Sequence, residues 1–137
     1  MALGELIIED RGNITGQRVL DVEGPKIESS FTMEGEYNGI ACTDIGTYWS
    51  LLRAGGVMYG EGKGLLTAKS SQGMAAWTAQ GIGRFTGPGK ISFRGSLFFR
   101  TPSGEGGKLS SLNNVVAVFE YELDEMGNCS SKVWEWK

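Results

Sequence analysis

Histidine is absent from all 137 residues. Its absence removes the usual general base near neutral pH and the commonest metal ligand. With it go every Ser/His, Cys/His and HExxH mechanism. Cysteine occurs only at Cys42 and Cys129, with no CxxC spacing, which reads as two reduced, partly buried thiols rather than a disulfide or a metal site. Neither a metal nor a cofactor is expected. A basic excess is also missing: 13 basic residues stand against 16 acidic ones for a net charge of −3, which leaves no electrostatic footprint for nucleic acid. The apolar runs are a few residues long, far short of the ~20 needed to span a bilayer, so no membrane partner is expected. The start of the chain carries Glu5, Glu9 and Asp10 within its first apolar stretch and does not read as a signal peptide. A cytoplasmic protein is the expectation.

Glycine, by contrast, is abundant. There are 22 of them, roughly twice the usual ~7%. They follow no collagen period and form no low-complexity block, because apolar residues make up 40% of the chain and are spread throughout. Residues 1–137 fit a single domain, which at this size buries about 70% of its unfolded surface and needs no covalent staple. Two glycine-rich stretches fail as phosphate loops. Y-G-E-G-K-G, ending at Gly64, precedes no helix start. In P-S-G-E-G-G-K-L, Pro102 and Leu109 occupy the positions that require Gly and Ser/Thr.

No sustained helical period appears. Runs of roughly ten residues alternate with period two between glycine-centred turns, the pattern of a meandering antiparallel sheet. Asn38-Gly39 is a two-residue type I′ signal, and Ala54-Gly55-Gly56 and Gly87-Pro88-Gly89 read as three-residue turns. Ser70 to Gly73 reads as a polar tip, and Asp124 to Asn128 closes a last hairpin that pairs Glu120 with Lys132.

Turn length fixes register, and register decides which side chains share a face. From Ile27 onward one face collects Phe31, Met33 and Tyr37, then Cys42, Asp44, Tyr48 and Leu52. It continues through Met58, Gly60, Gly62, Gly64 and Leu66, then Ala75, Trp77, Ala79, Gly81, Gly83 and Phe85, and ends on Ile91, Phe93, Gly95, Leu97 and Phe99. Asp44 is the only charge on it. The opposite face carries Glu28, Glu34, Glu36, Arg53, Glu61, Lys63, Arg84, Arg94 and Arg100. Five strands thus agree on one inside. The expected register sets Gly62 against Gly81 and Gly60 against Gly83, with Phe93 beside Gly83 and Tyr48 beside Gly62. Bare backbone next to large rings is how a curved sheet accommodates aromatics, and closing the sheet removes its edges.

Leu3 to Glu23 reads as one or two strands with a break near Gly12 or Gly16. After the strand ending near Arg100, K-L-S-S-L-N-N reads as one short helical turn across a barrel end. Val115, Ala117, Phe119, Tyr121 and Leu123 point inward on the last hairpin. The expected fold is therefore all-β, a single closed antiparallel β-barrel of about eight strands. Its interior is nearly filled by side chains or holds one small ligand.

G-T-Y-W-S-L-L-R with Y-G-E-G-K-G, then T-A-Q-G-I-G-R-F-T-G-P-G, and the ending V-F-E-Y-E-L-D-E-M-G-N with W-E-W-K resemble a group of uncharacterised small bacterial proteins, placed with the allene oxide cyclase-like barrels. The resemblance to that group covers almost the whole chain. It implies a closed, lipocalin-like antiparallel barrel, often oligomeric, around an apolar cavity. Allene oxide cyclase itself cyclises a lipid epoxide with a few polar groups inside its barrel. No motif of that active site matches this chain residue by residue, so its activity is an analogy of fold.

The inward polar residues are Ser29, Tyr37, Cys42, Asp44, Tyr48, Ser50, Tyr121, Cys129 and Ser131. Asp44 with Tyr48 or Tyr121 is the candidate acid–base set for a cofactor-independent cyclase or isomerase acting on a lipophilic substrate. The reading preferred for Asp44 is structural: a carboxyl at the barrel rim, beside water or bonded to a backbone amide. The preferred function is accordingly a barrel that binds a small lipophilic or aromatic molecule without chemistry. Phe31, Tyr48, Trp77, Phe85, Phe93, Phe99, Phe119 and Tyr121 would form its pocket. On the polar side, Trp49, Leu51, Tyr59, Ile82, Phe98, Trp134 and Trp136 point to an interface between copies of the chain, most simply a homodimer.

Overall fold

A computed structural model describes residues 3–69, 73–102, 104 and 106–137. Eight strands follow one another in chain order: β1 Leu3–Asp21, β2 Lys26–Tyr37, β3 Ile40–Leu52, β4 Val57–Ala68, β5 Met74–Gly87, β6 Lys90–Arg100, β7 Val116–Leu123 and β8 Asn128–Trp136. Each pairs antiparallel with the next, and β8 returns to β1, so the sheet closes into a barrel. A 3₁₀ turn, Gly107–Leu112, lies between β6 and β7 and buries Leu109 and Leu112. It plugs the barrel end where the Tyr37 hydroxyl meets Ser111 Oγ at 2.6 Å.

The turns follow their residue chemistry. Asn38 and Gly39 have φ of 47° and 83°, the left-handed pair that a type I′ turn requires. The expected tip at Ser70 to Gly73 falls largely outside the described residues. Its flank differs from expectation: Ala68 N–H bonds the Gly73 carbonyl, and Gly60 faces Gly81 while Gly62 faces Ala79. The ladder is thus two residues off the expected alignment. An even slip leaves every side chain on its own face, so the inside is unchanged. Glu120 pairs with Lys132, Phe93 with Gly83 and Tyr48 with Gly62, as the turns imply.

The N-terminal segment is one strand of 19 residues. Its ladder with β2 is interrupted between Ile14 and Gly16 and again between Val19 and Asp21. Its pairing with β8 ends at Asn13–Asn128. Beyond Asn13 the β1–β2 hairpin projects past the barrel, which leaves Val19 and Val22 exposed.

Phe31, Trp77, Phe93 and Phe99 are all buried. Glycines make this packing possible. A Cβ at Gly83 would lie 2.6 Å from the Phe93 ring, and one at Gly46 would lie 2.5 Å from Phe31 and 2.7 Å from Trp77. Outside, Trp49 and Tyr59 pack edge to face at 5.7 Å, covered by Lys26 and Arg53. Phe98, Trp136 and Ile45 are at least half exposed.

Candidate functional site

The cross-strand neighbours Phe93, Tyr121, Ser131, Asp10, Gly35 and Cys42 run from β6 through β7, β8, β1 and β2 to β3. This row puts a second carboxylate inside the barrel. Asp10 is 3% exposed and Asp44 8%. They belong to β1 and β3, with β2 between them. Gly35 on β2 has no side chain to separate them: a Cβ there would come within 2.5 Å of Asp10 Cβ. The two carboxyl groups are close enough across it for each to shift the other's pKa.

Two donors come from opposite sides. Ser131 Oγ donates to Asp10 Oδ1. Trp77 Nε1 donates to Asp44 Oδ1 at 2.8 Å, because its indole lies flat over the bare backbone of Gly46 and Gly64 and against Phe31, with centroids 6.2 Å and planes 14° apart. Asp10 Oδ2 has no donor. Trp77 is the only side-chain donor to Asp44 among the described residues other than Asp10 itself. Burial pushes the Asp44 carboxyl well above the usual carboxylate range, and repulsion from Asp10 adds to it; Trp77 only partly opposes this. Asp10 is raised too, chiefly by burial, with hydrogen bonds from Ser131 and Asp44 pulling the other way. One proton shared by the two raised carboxyls would relieve their repulsion and give the orphan oxygen Asp10 Oδ2 a donor.

Contrary to expectation, Asp44 does not stand at the rim beside water but inside the barrel, and among the described residues its donor is Trp77 rather than a backbone amide. Asp44 lines a cavity of ≈ 70 Å³ together with Phe31, Tyr48, Trp77, Phe93, Phe99, Phe119 and Tyr121. Ile8, Met33, Leu66, Leu97, Val133 and Ser131 complete much of the wall, and the backbone of Gly60, Gly62 and Gly81 forms its thinnest part. Phe85 is not among the lining residues. It has the inward parity but is 55% exposed, because it stands at the strand end, where the β5–β6 ladder slips between Phe85 and Gly87.

Tyr48 and Tyr121 meet each other rather than Asp44. Their hydroxyls are 3.1 Å apart and their rings pack edge to face at 5.4 Å. Burial raises both phenols above their usual value, so both stay protonated. Burial likewise raises the thiols of Cys42 and Cys129, which keeps them protonated and poorly nucleophilic. Among the described residues no group of three or more Asp, Glu or Cys side chains could hold a metal ion.

Asp10 is the site residue that the turn-by-turn reading missed. Its signal was the alternation of Ile8, Asp10, Gly12 and Ile14 against Glu9, Arg11 and Asn13, which puts one acid on the apolar face of the first strand.

No family model matches the sequence. No curated protein matches it. Two solved structures share the fold over nearly their full lengths. One is a protein of unknown function from Clostridium acetobutylicum, with a TM-score of 0.78 at 13% identity, covering 97% of this chain and 97% of that one. The other is a conserved protein of unknown function from Rhodopseudomonas palustris, with a TM-score of 0.72 at 14% identity, covering 98% of this chain and 97% of that one. At such identities the likeness is one of fold.

Proposed function

We propose that the protein is a binding barrel that holds one compact, largely apolar molecule inside, with its polar end turned to Asp44. The observation that carries this reading is the cavity itself: apolar walls meet a buried carboxyl that has a single side-chain donor besides its carboxyl partner. An interior built only for stability has little use for such a group, since burying a charge without full pairing is costly. The cavity also limits the guest. At ≈ 70 Å³ it is about half the ~150 Å³ apolar cavity that accepts benzene. A branched four-carbon molecule is the natural size, and an aromatic ring enters only if Trp77 or Phe93 moves. The pocket is then formed by Phe31, Tyr48, Trp77, Phe93, Phe99, Phe119 and Tyr121, without Phe85.

Titration with isobutanol, followed through the indole N–H resonances of the four tryptophans, tests this. Saturable movement of Trp77, with Trp49, Trp134 and Trp136 unaffected, is expected. Absence of any saturable shift at Trp77 would contradict it.

The carboxyl pair favours one second reading, a cofactor-independent isomerase or cyclase. A pair that shares one proton can accept a proton at one oxygen and donate one at another. In this reading Asp10 replaces the tyrosines as the partner of Asp44. Exchange of the α-hydrogens of cyclopentanone in heavy water, accelerated by the protein and lost in Asp44→Asn, would favour it over plain binding. Kinship with the allene oxide cyclase-like barrels, and a dimer formed through the Phe98 and Trp136 side, are parts of the same proposal. The eight-strand closure supports the first and the exposed apolar side chains the second.

A further inference from the structure

We infer that the guest of the cavity is a small primary amine, bound as its ammonium ion against Asp44. The inference rests on the binding reading above and gives it a charge. Two carboxyls are buried inside the barrel, and with one proton between them they carry one negative charge. Among the described residues nothing in the interior balances that charge. The chain has no histidine, and no Lys or Arg side chain lines the cavity. The basic residues near this part of β1 and β8 lie on the outer face, where Lys132 approaches Glu9. Ser131 and Trp77 supply neutral donors only.

The geometry leaves one place for a counter-charge. Asp44 is more than nine-tenths buried, faces the cavity, and accepts from the single side-chain donor Trp77 apart from its contact with Asp10. Behind it Asp10 Oδ2 is buried with no donor. An ammonium group carries three N–H donors and one positive charge, so it gives Asp44 a second donor and the carboxyl pair its counter-charge. An alcohol or a ketone brings no charge. The rest of the lining suits the same ion. The rings of Trp77, Tyr48 and Phe93 surround the space beside Asp44, and aromatic faces attract ammonium ions most strongly where water is excluded. A metal ion is a poorer guest, since two carboxyls and a serine in an apolar chamber offer too few oxygen ligands for magnesium or calcium.

The test compares guests of one shape. Isobutylamine, isobutanol and isopentane are titrated separately into the full-length protein and into Asp44→Asn, with the Trp77 indole N–H resonance as readout. In the wild type, isobutylamine is expected to bind at least about tenfold more tightly than isobutanol, the ratio that a charge-assisted hydrogen bond supplies. Isobutanol is expected to bind more tightly than isopentane. In Asp44→Asn the negative charge stays on Asp10, which does not line the cavity, so the amine preference should weaken. If isobutanol binds as well as isobutylamine in the wild type, the amine assignment is wrong and the binding barrel stands. If none of the three shifts Trp77, the binding reading fails and takes this inference with it. The wild-type comparison decides the matter even if the Asp44→Asn chain does not fold.

Discussion

Two pairs of like side chains meet inside this barrel, and they behave oppositely. Tyr48 and Tyr121 come from β3 and β7 and touch through their hydroxyls at 3.1 Å. Asp10 and Asp44 come from β1 and β3, and each shifts the other's pKa. A hydroxyl both donates and accepts, so two of them form a hydrogen bond with no added proton or charge. Two carboxylates only accept, so they need a proton, a cation or both. The tyrosine pair is a finished piece of packing. The aspartate pair is unfinished, and the cavity opens beside it. Proteins that retain a costly buried charge next to empty space generally use it.

The contrast can be broken at several points. The largest effect is expected at Gly64, where any Cβ would overlap the Trp77 indole. Gly64→Val should cost about 3 kcal/mol as overpacking and should pull the Trp77 N–H off Asp44. Urea unfolding measures the first, and the Trp77 indole shift the second.

Asp44→Asn should act in the other direction. An asparagine accepts from Trp77 through its carbonyl and donates to Asp10 Oδ2 through its amide, which keeps the single negative charge without the proton that the wild-type pair must hold. The variant should be more stable than the wild type by about 1–2 kcal/mol at pH 8. The pH dependence has a definite sign. Both carboxyls are raised in the folded state, so the folded protein holds a proton that the unfolded chain has released. The stabilising contribution is fully present below the ordinary carboxylate range and is lost as pH rises through the folded values. Wild-type stability should thus fall from about pH 4 upward relative to Asp44→Asn. Unfolding curves across that range check it, and parallel curves would contradict it.

Tyr48→Phe should have the smallest effect, a loss of about 1 kcal/mol for one hydrogen bond, equal at pH 5 and pH 8. A loss that changed over that range would mean the tyrosines are coupled to the acids.

Most of the barrel was legible before any coordinates, because turn chemistry fixes parity and parity fixes the inside. Even the two-residue slip at β4–β5 did not disturb it, since the side-chain period is two. Asp44 was therefore found on the right face. Its partner escaped because β1 meets β2 through V-E-G-P, which specifies no tight hairpin, and because the β1–β2 ladder slips twice before Asp21. Each slip reverses the face counted from the turn, so Asp10 could be placed only by its own alternation. Phe85 failed for a different reason. Parity states which way a side chain points, not whether the neighbouring strand extends far enough to cover it. The bond from Trp77 to Asp44 spans three strands, and the size of the cavity depends on how rings lie over glycines. Neither is written in local sequence.

The central claim is that Asp10 and Asp44 share one proton inside the folded barrel. Side-chain carboxyl ¹³C shifts of aspartate, followed through a pH titration and assigned with Asp10→Asn and Asp44→Asn, test it directly. The account predicts that one carboxyl of the pair remains protonated at neutral pH, and that each single variant returns the surviving acid toward the ordinary range. If both carboxyls ionise independently near pH 4, the pair is not a pair, and the account is wrong.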